Sequence, residues 1–184
     1  ALHAASKKSE SFVIWCNLNQ IIDNCARPVK QTKLDFGLYF ESQFETKVSF
    51  SNNILAKIEA NHAGVDDALM LDIDGFVSET NATNIFMIKD KIVYTPFPKA
   101  CLPGITRKTV IDICQSNNIP VIEKDISVTE MYNADEVFST GTMGELARVE
   151  EIDKRKIENK GDILSNLQDL FRKLTEKDGE KIPF

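Results

Sequence analysis

The sequence has little of what several common protein chemistries require. Its 184 residues include two histidines and four cysteines, and Cys16, Cys25, Cys101 and Cys114 are scattered with no C-x-x-C pair. Two histidines cannot complete a zinc set with cysteines so spaced, so buried thiols in a reducing compartment are expected instead of a metal centre. Basic residues are outnumbered, 22 Lys and Arg against 28 Asp and Glu, for a net charge of -6. No basic cluster offsets that balance, which argues against a nucleic-acid partner. No apolar run approaches the roughly 20 residues of a membrane-spanning helix, and residues 1–10 lack the apolar core of a signal peptide. The expected setting is the cytoplasm or an organelle, with no membrane partner. There Asn81-Ala82-Thr83, a glycosylation sequon, is idle.

What is present is ordinary for a globular chain: 42% apolar and 27% charged residues, enough for one large domain with its own core. Residues 1–11 read as a connecting segment, and residues 12–16 and 34–40 as strands rich in β-formers. A helix runs from Asn52, with Ile54, Leu55, Ile58 and His62 at helical spacing and Gly64 at the C-terminal cap position. His62 reads as a helix-end cation rather than a ligand. One hairpin turns at Asp74-Gly75 and a second at Lys89-Asp90-Lys91. A helix over residues 106–116 leads to a strand over 119–122. Ser127 and Glu130 form a capping box for a short helix ending at Tyr132. Residues 136–139 and 146–152 are extended, and Ile163, Leu167, Leu170, Phe171 and Leu174 make the apolar stripe of a closing helix. Strands and helices alternate after residue 50 but hairpins interrupt any βαβ rhythm, so the class is α+β leaning to α/β.

Four stretches carry chemistry. Gly104-Ile105-Thr106 at a helix start offers free backbone N–H groups, a hydroxyl and the positive end of the helix dipole, which suit a phosphate; the same residues also serve as an ordinary N-terminal cap. Thr140-Gly141-Thr142 at a strand end is a second small-residue cluster able to close on an anion, or a plain glycine turn. Glu79 leaves a strand directly after Val77-Ser78, where a carboxylate can pair with a protonated ring nitrogen or simply face water. Lys47 sits in an alternation from Glu45 to Phe50 like that of an edge strand. Desolvated it suits a Schiff base, and exposed it only guards an edge.

Five stretches then fall in a specific order: Asn53-Ile54-Leu55-Ala56-Lys57-Ile58-Glu59-Ala60; Gly75-Phe76-Val77-Ser78-Glu79 with Asn84-Ile85-Phe86; Leu102-Pro103-Gly104-Ile105-Thr106-Arg107; Ala134-Asp135-Glu136-Val137-Phe138; and Thr140-Gly141-Thr142-Met143-Gly144-Glu145. In that order the chain resembles the large C-terminal domain of the class IV pyridoxal-phosphate aminotransferases, and most of all the branched-chain aminotransferases, over about residues 46–175. The resemblance implies a mixed-sheet, barrel-like domain over residues 16–184, preceded by a connecting segment and first strand over 1–15, with the family's small N-terminal domain absent from this chain.

It also implies roles. Glu79 matches the glutamate that pairs with the pyridinium nitrogen of pyridoxal 5'-phosphate. Gly104, Ile105 and Thr106 match one side of the phosphate cup with Leu102 on the ring, and Gly141 and Thr142 match the other side. Met143 is placed to offer its backbone N–H to the substrate carboxylate, and Ala82 and Thr83 border the cofactor. Lys47 is the Schiff-base candidate, although the family's lysine stands upstream of it, where this chain has Thr46, and Phe50 replaces the family's tyrosine. The implied activity is transamination between a small, branched-chain amino acid and a 2-oxo acid, in a homodimer. The alternatives are a lyase of the same superfamily, such as one acting on aminodeoxychorismate, or a homologue that binds cofactor or a partner without turnover.

Overall fold

The computed structural model describes the backbone of residues 12–16, 44–99 and 101–178, and side chains over residues 52–99 and 101–177. The expected strand at 34–40 and the segment at 1–11 lie outside these residues. The elements run β1 (Phe12–Cys16), α1 (Phe44–Ala63), β2 (Asp67–Leu71), β3 (Val77–Thr80), β4 (Asn84–Lys89), β5 (Ile92–Thr95), α2 (Ile105–Ser116), β6 (Val121–Glu123), α3 (Val128–Tyr132), β7 (Glu136–Gly141), β8 (Glu145–Arg148), β9 (Glu151–Ile152), β10 (Arg155–Lys156) and α4 (Ile163–Asp178).

Among the described residues the strands form two mixed five-stranded sheets, ordered β10-β9-β1-β2-β3 and β6-β5-β4-β7-β8. Parallel pairs β1–β2, β1–β9 and β5–β6 stand among antiparallel ones. The pleat of β4 explains the layering. Ile85 and Met87 point into a core shared with Leu69 and Val77 of the first sheet, while Phe86 and Ile88 point the other way, onto α2 and α4. The stripe expected for α4 is there: Leu164, Leu167 and Phe171 are buried, with Ile163, Leu170 and Leu174 packed beside them. The Phe86 and Phe138 rings stack at 4.9 Å inside that core, each fully buried and contributing about 1.5–3 kcal/mol by removal from water. Helix α1 covers the outer face of the first sheet through Ala56 and Ala60 against Ala68 and Met70.

Local signals account for the connections. Gly75 has φ +84° in the β2–β3 turn, and Asp90 and Lys91 have φ 49° and 64° in the two-residue turn of the β4–β5 hairpin, the geometry that matches strand twist. Gly64, at φ +76°, ends α1, and the Ser127–Glu130 capping box is complete in both directions. Two expectations change. The span from Glu45 to Phe50 is the beginning of α1, not an edge strand, so Lys47 stands on a helix; its polar–apolar alternation is outweighed by the helix that continues through residue 63. The extended stretch at 146–152 divides into β8 and β9, which belong to different sheets.

Candidate active site

The site is built outward from Glu79 on β3. Only 8% exposed, its Oε2 accepts a hydrogen bond from the Leu102 N–H at 3.1 Å and one from Asn84 Nδ2 at 3.4 Å, and the Asn53 side chain of α1 bonds it as well. Burial raises its pKa above the usual carboxylate value, against the lowering effect of the Leu102 and Asn53 bonds. A cationic partner would reverse that shift and keep the carboxylate ionised.

The segment that supplies the Leu102 N–H runs on into α2. Gly104 is the N-cap of that 12-residue helix, with no side-chain cap and no acidic residue in the first turn. Among the described residues, neither a capping side chain nor a first-turn carboxylate answers the N–H groups and dipole at this end. Ile105 is 86% and Leu102 69% exposed. Behind them Arg107 is buried and donates to the Pro96 carbonyl at 2.8 Å and to the Glu123 carboxylate, fixing the first turn of α2 to β5 and β6. A Cβ at 104 would lie 2.2 Å from Asn84 Oδ1, so a larger residue there would have to displace the Asn84 side chain.

The opposite wall is the end of β7. In the register of β4 and β7, Asn84 faces Thr140, which sets Gly141 beside Thr83, where an added Cβ would meet Thr83 Cγ2 at 2.9 Å. Thr83 is held in turn: its hydroxyl is 2.7 Å from that of Thr80, whose oxygen also accepts the Thr83 N–H at 2.9 Å. A cleft of about 200 Å³ opens on the Thr80 side of this wall, lined by Asp66, Asp67, Thr80, Thr83, Gly141 and Glu145, and neither Glu79 nor the start of α2 lines it. Beyond it Thr142 and Met143 form an exposed turn, with Met143 100% exposed.

The fold thus brings Glu79, Thr83, Leu102, Gly104, Ile105, Thr106, Gly141 and Thr142 to one end of the two sheets. Ala82 is exposed in the same β3–β4 loop. Asn81 of the sequon is buried, and its side-chain oxygen Oδ1 accepts from the Ala68 N–H at 2.7 Å. Cys101 and Cys114 are both pushed up to about 11 by burial, Cys101 further by the charge of Glu79, which keeps them as thiols. Asn84 stands in the Asn84-Ile85-Phe86 motif, which carries no site role in the sequence. Its signal was its position, five residues after the candidate glutamate.

An uncapped helix start beside a buried carboxylate, with glycines where Cβ atoms would collide, fits a planar cation that also carries a phosphate. The family description "Amino-transferase class IV" matches residues 46–152. The chain is 57% identical over 134 residues to branched-chain-amino-acid aminotransferase-like protein 2 of Arabidopsis thaliana, covering 72% of this chain and 24% of that protein. The crystal structure of a branched-chain aminotransferase from Thermoproteus uzoniensis with norvaline superposes with TM-score 0.67 at 37% identity, over 71% of this chain and 44% of that one. An aminotransferase from Brucella abortus bound to the co-factor PLP superposes with TM-score 0.65 at 32% identity, over 69% and 45%. The chain spans from about a quarter to under half the length of these proteins. It belongs to the class IV aminotransferases.

Proposed function

We propose that this chain forms the cofactor-binding wall of a pyridoxal-phosphate aminotransferase that moves an amino group between a small, branched-chain amino acid and a 2-oxo acid. One observation carries the reading: the segment that hydrogen-bonds the buried Glu79 through Leu102 N–H is the segment that opens the uncapped helix α2. A single ligand with a cationic ring nitrogen at one end and a phosphate at the other satisfies both. When bound, pyridoxal phosphate supplies an electron sink for the pair left as a proton departs from the substrate carbon.

The chain's residues do the rest. Glu79 holds the proton on the ring nitrogen. The N–H groups of Ile105 and Thr106 at the α2 start and those of Gly141 and Thr142 bind the phosphate, and Leu102 covers the ring. Ala82 and Thr83 border it, and the Met143 N–H receives the substrate carboxylate. Lys47 is our candidate for the covalent anchor and for the amine that carries the proton. A homodimer, closing the exposed rim at Leu102, Ile105 and Met143, and a cytoplasmic setting complete the reading.

Thr46 and Phe50, and the helix that includes Lys47, favour a second reading: non-covalent binding of the cofactor without turnover. Borohydride reduction of the pyridoxal-phosphate-treated protein, followed by peptide mapping, separates the two. A label on Lys47, together with glutamate formed from 2-oxoglutarate in proportion to added leucine, supports the aminotransferase. Bound cofactor with no trapped label supports the second reading. Turnover without an amino-acid requirement points to a lyase, and no bound cofactor defeats both readings of the site.

A further inference from the structure

Asn84, the first residue of β4, is buried and belongs to no cofactor contact proposed above. Its Nδ2 donates to the Leu102 carbonyl at 2.8 Å and reaches Glu79 Oε2 at 3.4 Å. Both neighbours are acceptors, so the amide nitrogen must face them and Oδ1 must face the other way. On that other side lies Gly104, whose missing Cβ would stand 2.2 Å from Oδ1. The Asn84 backbone is paired to Thr140, one residue before Gly141. One side chain therefore touches the carboxylate, the loop that leads to α2 and the N-cap of α2, from a backbone position fixed against the opposite wall.

We propose that Asn84 is a positioning residue that sets the spacing between Glu79 and the start of α2, so that the two ends of one bound cofactor are met together. The inference rests on the pyridoxal-phosphate reading of the site. It ties the glycine at 104 to the place of Asn84 Oδ1, with conformational freedom playing no part, since Gly104 has φ -64° and any residue adopts that value. It also separates the donor of Asn84 from its shape. Asn84→Asp keeps the shape but replaces the Nδ2–H donor with a second oxygen facing Glu79 and the Leu102 carbonyl.

The test is a titration of the chain and its variants with pyridoxal 5'-phosphate, with inorganic phosphate as competitor and a thermal melt of each ligand-free protein. Asn84→Ala and Asn84→Asp are each expected to weaken pyridoxal-phosphate binding about tenfold or more, while inorganic phosphate binds Asn84→Ala as it binds the parent. Gly104→Ala is expected to weaken binding as much in the parent, and to add nothing in the Asn84→Ala background, where its clash partner is gone. A purely structural role would lower melting temperature without this pattern. If Asn84→Ala does not fold, Gly104→Ala and Asn84→Asp carry the test. Parent-like affinity in folded Asn84 variants overturns the positioning role alone and leaves the site reading standing. A parent protein that binds no pyridoxal phosphate overturns the site reading, and the positioning role with it.

Discussion

Helices α2 and α4 both begin just after a glycine and close to a buried carboxylate, and the chain completes them differently. At α4 the fully buried Glu136 reaches across from β7, and its Oε1 accepts the Ile163 N–H at 3.2 Å. Gly161 leaves room for it, since a Cβ there would lie 2.1 Å from Oε1, and Arg148 stands 4.0 Å from the other oxygen. At α2 the buried Glu79 stops short, at the Leu102 N–H, and no side chain caps Gly104. Among the described residues, an anion is supplied to the start of α4 and no capping side chain to that of α2. Burial of a carboxylate therefore does not by itself mark function, and our proposed site rests on the uncapped helix start beside Glu79 as well.

Variants that break this contrast should differ in size. Glu136→Ala removes the anion from α4 and leaves its N–H and Arg148 without it, at a cost of about 3 kcal/mol, read from urea denaturation. Gly161→Ala pushes a methyl into the same buried carboxylate, and a loss of about 1–3 kcal/mol is expected in the same assay. Helix α3 is a third case, answered locally. Lys124 and the Ser127 N–H hold Glu130 down at about 2. Because that value is depressed, its contribution is present above the ordinary 4.5 and is lost as pH falls from there toward 2. Glu130 is largely solvent-screened, so Ser127→Ala should cost about 1 kcal/mol at neutral pH. The smallest effect has the opposite sign. Thr106→Asp gives α2 the anion it lacks and should stabilise the ligand-free protein by about 0.5 kcal/mol in a thermal melt.

Much of the frame was legible because local chemistry decides it. Asp74-Gly75 and Asp90-Lys91 turn where the chain must adopt positive φ, Ser127 and Glu130 answer each other three residues apart, and α4 declares its apolar stripe. The order of Glu79, Gly104 and Gly141 was legible too, and the fold gathers them. What could not be read are relations between distant residues. Glu136 appears in sequence as one charge in a β-rich run, and only the packing of α4 explains it. Asn84 acts through Leu102 and Gly104, 18 and 20 positions away. At Lys47 the alternation from Glu45 to Phe50 suggested a strand, and the helix that includes it shows that a six-residue pattern yields to its longer context.

The central claim is that Glu79 and the start of α2 hold two ends of one molecule. Calorimetric titration of the parent, Glu79→Gln and Thr106→Asp with pyridoxal 5'-phosphate and with phosphate-free pyridoxal tests it most directly. Glu79→Gln should weaken both ligands by about tenfold or more, and Thr106→Asp should weaken only the phosphate-bearing one. Equal affinity of the parent for the two ligands, or parent-like binding of pyridoxal 5'-phosphate by Thr106→Asp, would contradict the account.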